Sequence, residues 1–307
     1  MKIGVIGAGK WGQSIQFALR QQNGEVVITS RTRREDVPSF TTLEEVLGCT
    51  HIVISISTQH TYDWLKANFR FNGQKILVAS KGIDLKRNRF LNEIYEEFIP
   101  RENLSFLTGP SFAKEVKESL PTALVINSTN LELASEWMNL FPPFIKTYRS
   151  DDVVGAEIAG AYKNVIAIAS GVSDALQLGN NARAALITRG LAEMSRFGMN
   201  FGAKMESFLG LSGVGDLFLT ASSTLSRNYR VGFGLGSGKK IDAILEELGE
   251  VAEGVATAEA IVDIAEKHGI YTPIAVEVDR IIHGKDVHES IKDLLVRGSQ
   301  EEFPGQS

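Results

Sequence analysis

The sequence predicts an α/β fold in two parts, a doubly wound, mostly parallel sheet followed by an all-α region. Three observations predict it. An apolar run, Lys2–Ile6, leads straight into Gly7-Ala8-Gly9-Lys10-Trp11-Gly12. Short β-rich runs then alternate with helical patterns as far as Ser150. From Asp152 onward the periodicity is helical, with no convincing strand. Alternating β and α elements imply a parallel sheet with helices on both faces.

In chain order, the strands expected are Lys2–Ile6, Val26–Ser30, His51–Ser57, Lys75–Ala79, Leu104–Leu107, Ala123–Asn127 and Ile145–Tyr148. Several are nearly all apolar, as required when both sheet faces are covered. Helices are expected at Gln13–Gln22, Leu43–Leu47, Tyr62–Phe69, Phe90–Phe98 and Leu131–Phe141. The second half predicts helices at Val153–Leu176, Ala182–Phe197, Lys239–Leu248, Ala256–Lys267, Ala275–His283 and Val287–Leu295. The domains expected are therefore 1–150 and 151–307, with a frayed tail from Glu301 to Ser307. Ligands of open α/β sheets bind beyond the C-terminal strand ends, so substrate is expected where the helical half closes over that edge.

Composition bounds the functional classes. The 307 residues are enough for two domains and a large core. Hydrophobic residues at 43% and charged residues at 22% are ordinary for a soluble globular protein. A net charge of −5 argues against a nucleic-acid partner held by bulk charge. Cys49 is the only cysteine, so no intrachain disulfide forms, which fits a reducing cytosol. No apolar stretch approaches the ~20 residues of a membrane helix, and no leader pattern is read at the start. A soluble, cytoplasmic protein without membrane or nucleic-acid partners is expected.

The glycine turn carries the first chemical signal. In a strand–turn–helix, Gly7 permits the tight turn and Gly9 lets the backbone approach a pyrophosphate. Gly12 lets helix and strand pack closely. The helix N-terminus then offers free N–H groups and a positive dipole end to phosphates. This is a Rossmann-like dinucleotide fingerprint. A carboxylate about 20 residues further on would mark NAD(H). That place reads Thr29-Ser30-Arg31-Thr32-Arg33-Arg34, with no carboxylate before Glu35. Guanidinium groups bind a 2′-phosphate that a carboxylate would repel, so Arg31 and Arg34 point to NADP(H), with NAD(H) left open. The plainer alternative is a solvated basic loop.

The second signal is a lysine in an apolar helix, Gly160-Ala161-Tyr162-Lys163-Asn164-Val165-Ile166-Ala167. A buried lysine loses basicity, which suits a proton donor or acceptor. Its alternative is a side chain that snorkels to the surface. Ser80-Lys81-Gly82 and Gly109-Pro110-Ser111-Phe112 each follow a strand at the ligand edge. Lys81 beside Lys163 would lower the latter's pKa and face an anion. Asp216, in Gly213-Val214-Gly215-Asp216, could orient an ammonium group or simply cap a helix. Ser226-Arg227-Asn228 offers hydroxyl, guanidinium and amide donors suited to a phosphate, or a solvated helix face. His51, His268, His283 and His288 fall at element ends, and His60 is a weak candidate. No His/Cys/Asp/Glu cluster has metal-ligand spacing, so no metal is expected.

Together these stretches resemble the bacterial NAD(P)-dependent glycerol-3-phosphate dehydrogenases over almost the whole chain. The resemblance also takes in Asn181-Ala182-Arg183-Ala184-Ala185-Leu186-Ile187-Thr188-Arg189-Gly190-Leu191 and Val251-Ala252-Glu253-Gly254. It implies interconversion of dihydroxyacetone phosphate and sn-glycerol 3-phosphate, usually to supply glycerophospholipid synthesis, in a homodimer. It implies Lys163 as proton donor and acceptor, and Lys81 in contact with substrate and cofactor. Gly109, Ser111, Asp216, Ser226, Arg227 and Asn228 match substrate positions. Lys10, Trp11, Arg31, Ala113, Arg227, Val251 and Glu253 match cofactor positions. The chain departs from the pattern in a shorter Arg34–Thr42 segment, in Lys10 for a frequent serine and in Thr224 for a common proline. Two other functions fit the bare residues. One is a related reductase of a keto or imino acid, with a carboxylate at Arg227. The other is a non-catalytic NADPH-sensing protein.

Overall fold

A computed structural model describes residues 1–249 and 251–296. The expected Glu301–Ser307 tail lies outside these residues. Seven strands form one sheet: β1 (Ile3–Ile6), β2 (Val26–Thr29), β3 (His51–Ile54), β4 (Lys75–Val78), β7 (Leu104–Thr108), β8 (Thr122–Asn127) and β9 (Ile145–Ser150). Their order is β2-β1-β3-β4-β7-β8-β9. All neighbours are parallel except β7 and β8, where Thr108 opposes Val125. The remaining two strands, β5 (Ile83–Asp84) and β6 (Arg89–Phe90), form a separate antiparallel hairpin. β1, β3, β7 and most of β4 are buried along their length, the signature of a sheet covered on both faces.

The covering helices are α1 (Lys10–Asn23), α2 (Leu43–Leu47), α3 (Thr58–Asn68), α4 (Leu91–Tyr95), α5 (Ala113–Lys117) and α6 (Leu131–Met138). After Ser150 the described residues contain no strand. There α7 (Val153–Ala175) is followed by α8 (Gly179–Met199), α9 (Met205–Leu209) and a π-helical turn at Leu211–Gly215. Then come α10 (Asp216–Ala221), α11 (Arg227–Gly236), α12 (Ile241–Leu248), α13 (Glu253–His268), α14 (Pro273–Ile282) and α15 (Val287–Val296). No described helix is long and apolar enough to cross a membrane.

Several expected elements shift. The helix expected over Phe90–Phe98 is only α4, because Phe90 pairs with Ile83 in the hairpin. The Phe90 N–H donates to Glu93 Oε2 at 2.9 Å, which places Phe90 before the helix rather than in it. The strand expected to reach Ser57 stops at Ile54, freeing Ser57 to precede α3. The described helices α5, α9, α10 and α11 lie where no helix was expected, in segments whose glycines and short length mask the period.

α7 is the axis of the second half. It is buried on nearly every side, including Ile158, Tyr162, Val165, Ile166 and Ile168. A helix apolar all round belongs in a core. α11 lies against it at backbone distance. A Cβ on Gly171 would sit 2.1 Å from the Tyr229 carbonyl oxygen, and one on Gly232 would sit 1.8 Å from that of Ile168. Glycine at both positions therefore fixes how far α11 slides along α7.

Glu157, near the start of α7, clasps the two halves together. Its carboxylate accepts from the backbone N–H groups of Leu91 and Asn92, the orphan donors of α4. Its Oε2 is buried and has no partner among the described residues. Burial pushes this carboxyl up to about 8, against the pull of the two amides and Lys81. A raised carboxyl binds more protons folded than unfolded. Its contribution is whole below the ordinary value of 4.5 and is lost as the pH rises through about 8. The slope is at most ~1.4 kcal/mol per pH unit. Glu157→Gln keeps an acceptor without the ionisation. Thermal unfolding should find this variant more stable than the wild type at about pH 9, with the gap closing towards about pH 5. A gap that does not vary with pH contradicts the assignment.

Candidate active site

β1, β3, β4 and β7 are adjacent and parallel, so their C-terminal ends form one rim. The chain leaves that rim at Gly7, Ser55, Ala79 and Gly109. Residues from the helical half meet it from above.

At the centre lies one carboxylate shared by two lysines. Asp216, the first residue of α10, is 2% exposed. Its Oδ2 accepts from Lys81 Nζ at 2.7 Å and its Oδ1 from Lys163 Nζ at 2.5 Å. Lys163 also donates to Thr220 Oγ1 at 2.9 Å, and Lys81 lies 3.4 Å from the Gly109 carbonyl oxygen. Lys163 is 7% exposed, so it does not snorkel. Burial pushes its pKa down to about 8; Lys81 adds to the fall and Asp216 opposes it. Burial alone would raise Asp216, but the two lysines outweigh it and hold the carboxyl below its ordinary range. The alternative of Asp216 as a mere helix cap fails, since both oxygens are taken by lysines.

The geometry at the glycine turn fits a dinucleotide. Gly7 adopts φ +107°, and a Cβ there would lie 2.2 Å from the Ser55 carbonyl oxygen. A Cβ on Gly12 would lie 1.8 Å from the Gly7 carbonyl oxygen. These two glycines are demanded by the protein itself. Gly9 is not: its φ of −72° suits any residue, and a Cβ would meet nothing within 4 Å. Its bare backbone is of use only to something approaching from outside, at the N-terminus of α1.

Glu253, the first residue of α13, is a second buried acid on the rim. Its Oε1 accepts from Ser57 Oγ at 2.9 Å and from the Thr58 N–H at 3.4 Å. Its Oε2 is buried and unpartnered among the described residues. Burial pushes this carboxyl up, against those two hydrogen bonds and the nearby charges of Arg227 and His60. An orphaned oxygen at the edge of a dinucleotide turn fits an amide donor from outside the chain.

The other expected residues have more modest surroundings. The Trp11 indole donates to the Ala79 carbonyl at 3.1 Å. Ala113 opens α5 and its carbonyl accepts from Ser14 Oγ at 2.7 Å. Ser111 Oγ donates to the Gly109 carbonyl at 3.2 Å, within its own loop. Ser226 caps α11 by accepting from the Tyr229 N–H at 3.2 Å. Asn228 is buried, while Lys10, Arg31, Arg227 and Val251 are exposed. The structure thus brings Lys81, Lys163, Asp216 and Gly109 together, and leaves Arg31 and Val251 outside that cluster. Sequence reading missed Thr220, Ser57 and Thr58. Thr220 could have been found as the i+4 neighbour of Asp216 on one helix face. Ser57 and Thr58 could have been found as the residues past the end of β3.

Known proteins resemble this chain along most of its length. Residues 34–134 match the model of the NAD-dependent glycerol-3-phosphate dehydrogenase N-terminus, and residues 152–292 match that of its C-terminus. The chain belongs to the NAD-dependent glycerol-3-phosphate dehydrogenase family. It is 58% identical to the glycerol-3-phosphate dehydrogenase [NAD(P)+] of a Nitratiruptor species, covering 98% of this chain and 100% of that one. The corresponding protein of Sulfurimonas denitrificans is also 58% identical, over 96% of this chain and 99% of that one. The crystal structure of glycerol-3-phosphate dehydrogenase from Coxiella burnetii superposes with a TM-score of 0.88 at 32% identity. That match covers 96% of this chain and 99% of that one. The two family models fall on the sheet-bearing part and on the helical part of the chain.

The glycine turn yields a paired prediction. Gly12→Ala should lower stability by at least ~1–3 kcal/mol, the cost of overpacking against backbone. Gly9→Ala should cost less than about 1 kcal/mol, as an N-cap change, yet weaken dinucleotide binding. Thermal unfolding and a fluorescence titration with NADPH read the two effects. Equal loss of stability in both variants contradicts the division of roles.

Proposed function

We propose that the protein interconverts dihydroxyacetone phosphate and sn-glycerol 3-phosphate, with NADP(H) as the favoured cofactor and NAD(H) as the weaker one. The observation that carries this is the Lys81–Asp216–Lys163 cluster, built on a buried carboxylate at the C-terminal rim of a dinucleotide-type sheet. The family membership and the names of the close relatives support the substrate. Residues 1–150 serve the dinucleotide and residues 151–307 the substrate. Supply of glycerophospholipid synthesis, a cytoplasmic location and a homodimer complete the proposal, on the strength of the resemblance.

Gly7, Gly9, Lys10, Trp11, Gly12, Arg31, Lys81, Ala113, Arg227, Val251 and Glu253 would hold the cofactor. Arg31, exposed beyond β2, supplies the charge that favours a 2′-phosphate. When bound, the nicotinamide supplies or accepts the hydride at the carbonyl carbon of the substrate. The chain's own residues do the rest. Lys163 as ammonium polarises the carbonyl oxygen and delivers its proton as the alcohol forms. In the reverse direction neutral Lys163 takes the hydroxyl proton. Asp216 fixes the ammonium, and with Thr220 leaves it one N–H for substrate. Lys81 presents a second cation to the anionic substrate over Gly109 and Ser111. Arg227 and Asn228, on the first turn of α11, together with Ser226 would hold the phosphate.

A pKa near 8 suits this work, because both protonation states are populated near neutrality. The direction of the pH effect follows. Reduction needs the ammonium and should fall as the pH rises through about 8, while oxidation needs the amine and should rise through the same range. Lys163→Ala should lower kcat by at least ~10², the lower end for lost acid–base catalysis. The test is NADPH absorbance with dihydroxyacetone phosphate across the pH range, repeated with NADH. Retained turnover in Lys163→Ala, or opposite pH trends, overturns the assignment. Equal kcat/KM with the two cofactors overturns the preference.

A further inference from the structure

We propose that Gly254 is a positioning residue: its backbone N–H and its missing side chain fix the Asn228 amide with the NH2 end turned to the substrate. This rests on the reading that Asn228 binds the substrate phosphate. The amide of an asparagine has one accepting and one donating end, of similar shape. A backbone N–H can pair only with the accepting end. The Gly254 N–H donates to Asn228 Oδ1 at 3.0 Å, in a buried contact. That bond settles the flip, and Nδ2 is left as the end that can donate to an anion.

The contact is too close for any other residue. A Cβ on Gly254 would lie 2.7 Å from Asn228 Oδ1 and 3.1 Å from its Cγ. It would lie 2.9 Å from the Asn164 carbonyl oxygen, on the turn of α7 that carries Lys163. The second residue of α13 thus touches both the phosphate-side amide and the helix of the proton donor. The preceding residue, Glu253, spends its carboxylate on Ser57 and Thr58 across the rim. Asn228 Oδ1 in turn satisfies one of the orphan N–H groups that open α13. The arrangement is reciprocal: α13 orients the amide, and the amide caps α13.

Three variants separate this from a general packing role. Asn228→Asp keeps the acceptor for Gly254 and replaces the NH2 with a charge that repels phosphate. Its thermal midpoint should stay close to that of the wild type, while KM for dihydroxyacetone phosphate rises by about tenfold or more, as for a lost hydrogen bond to a charged group. Asn228→Ala removes both ends, so KM should rise and the midpoint should also fall. Gly254→Ala should raise KM for dihydroxyacetone phosphate by about tenfold in the wild type. It should add less than about twofold in the Asn228→Ala background, since no amide remains to displace. Equal KM effects of Gly254→Ala in both backgrounds would mean a role unconnected with Asn228 and overturn the proposal. So would an Asn228→Asp protein as destabilised as Asn228→Ala, which would show that Oδ1 is not the cap. If Gly254→Ala does not fold, the two Asn228 variants still decide the orientation. If the wild type does not reduce dihydroxyacetone phosphate, the functional reading fails. The melting comparison still tests the amide.

Discussion

The site depends on one buried carboxylate that answers two cations, one buried and one half-buried. Asp216 pairs with Lys81 from the sheet half and Lys163 from the helical half. Asp216 and Lys163 are both buried, and an unpaired ion removed from water costs several kcal/mol, so each depends on a partner charge. The cluster carries one net positive charge, a poised place for an anionic substrate. Removing the carboxylate would leave two like charges facing each other, so its loss would cost stability as well as chemistry. The same pairing joins the two halves where a ligand must sit.

Around that cluster the packing sets distances rather than adding chemistry. Gly171 and Gly232 let α7 and α11 meet at backbone contact, which fixes Arg227 and Asn228 relative to Lys163. Glu193 does similar work further out. It is 1% exposed, and accepts from Tyr162 and from the N–H groups of Ile274 and Ala275, so the helix bearing Lys163 is held to the start of α14. Glu157, in the second turn of the same helix, holds it to α4. Two buried carboxylates thus position one helix, each by capping another element.

The parts legible in the sequence are those governed by local rules. The glycine turn is a backbone requirement within six residues. Lys163 stood out because it is the one charge in an apolar helical run. Strand positions followed from buried, unbroken apolar runs, and β2, β3 and β4 lie within two or three residues of expectation. Tertiary facts were not legible. Glu157 and Glu193 look like ordinary helix-surface acids until the helices they cap are in place. Thr220 acquires meaning only when Lys163 arrives from more than fifty residues upstream in the chain. Phe90 has good helical neighbours, yet hairpin pairing with Ile83 wins. α9 and α10 were hidden because five or six residues are too short to show a period, and α11 because its glycines, at close contacts, blur one.

The central claim is that burial and Lys81 lower the basicity of Lys163 while Asp216 limits the fall. Titrating the Lys163 ammonium by nitrogen NMR, in the wild type and in Asp216→Asn, tests it most directly. The account predicts a midpoint of about 8 in the wild type and a lower one in Asp216→Asn. A midpoint at the ordinary value of 10.5 in both proteins would contradict it.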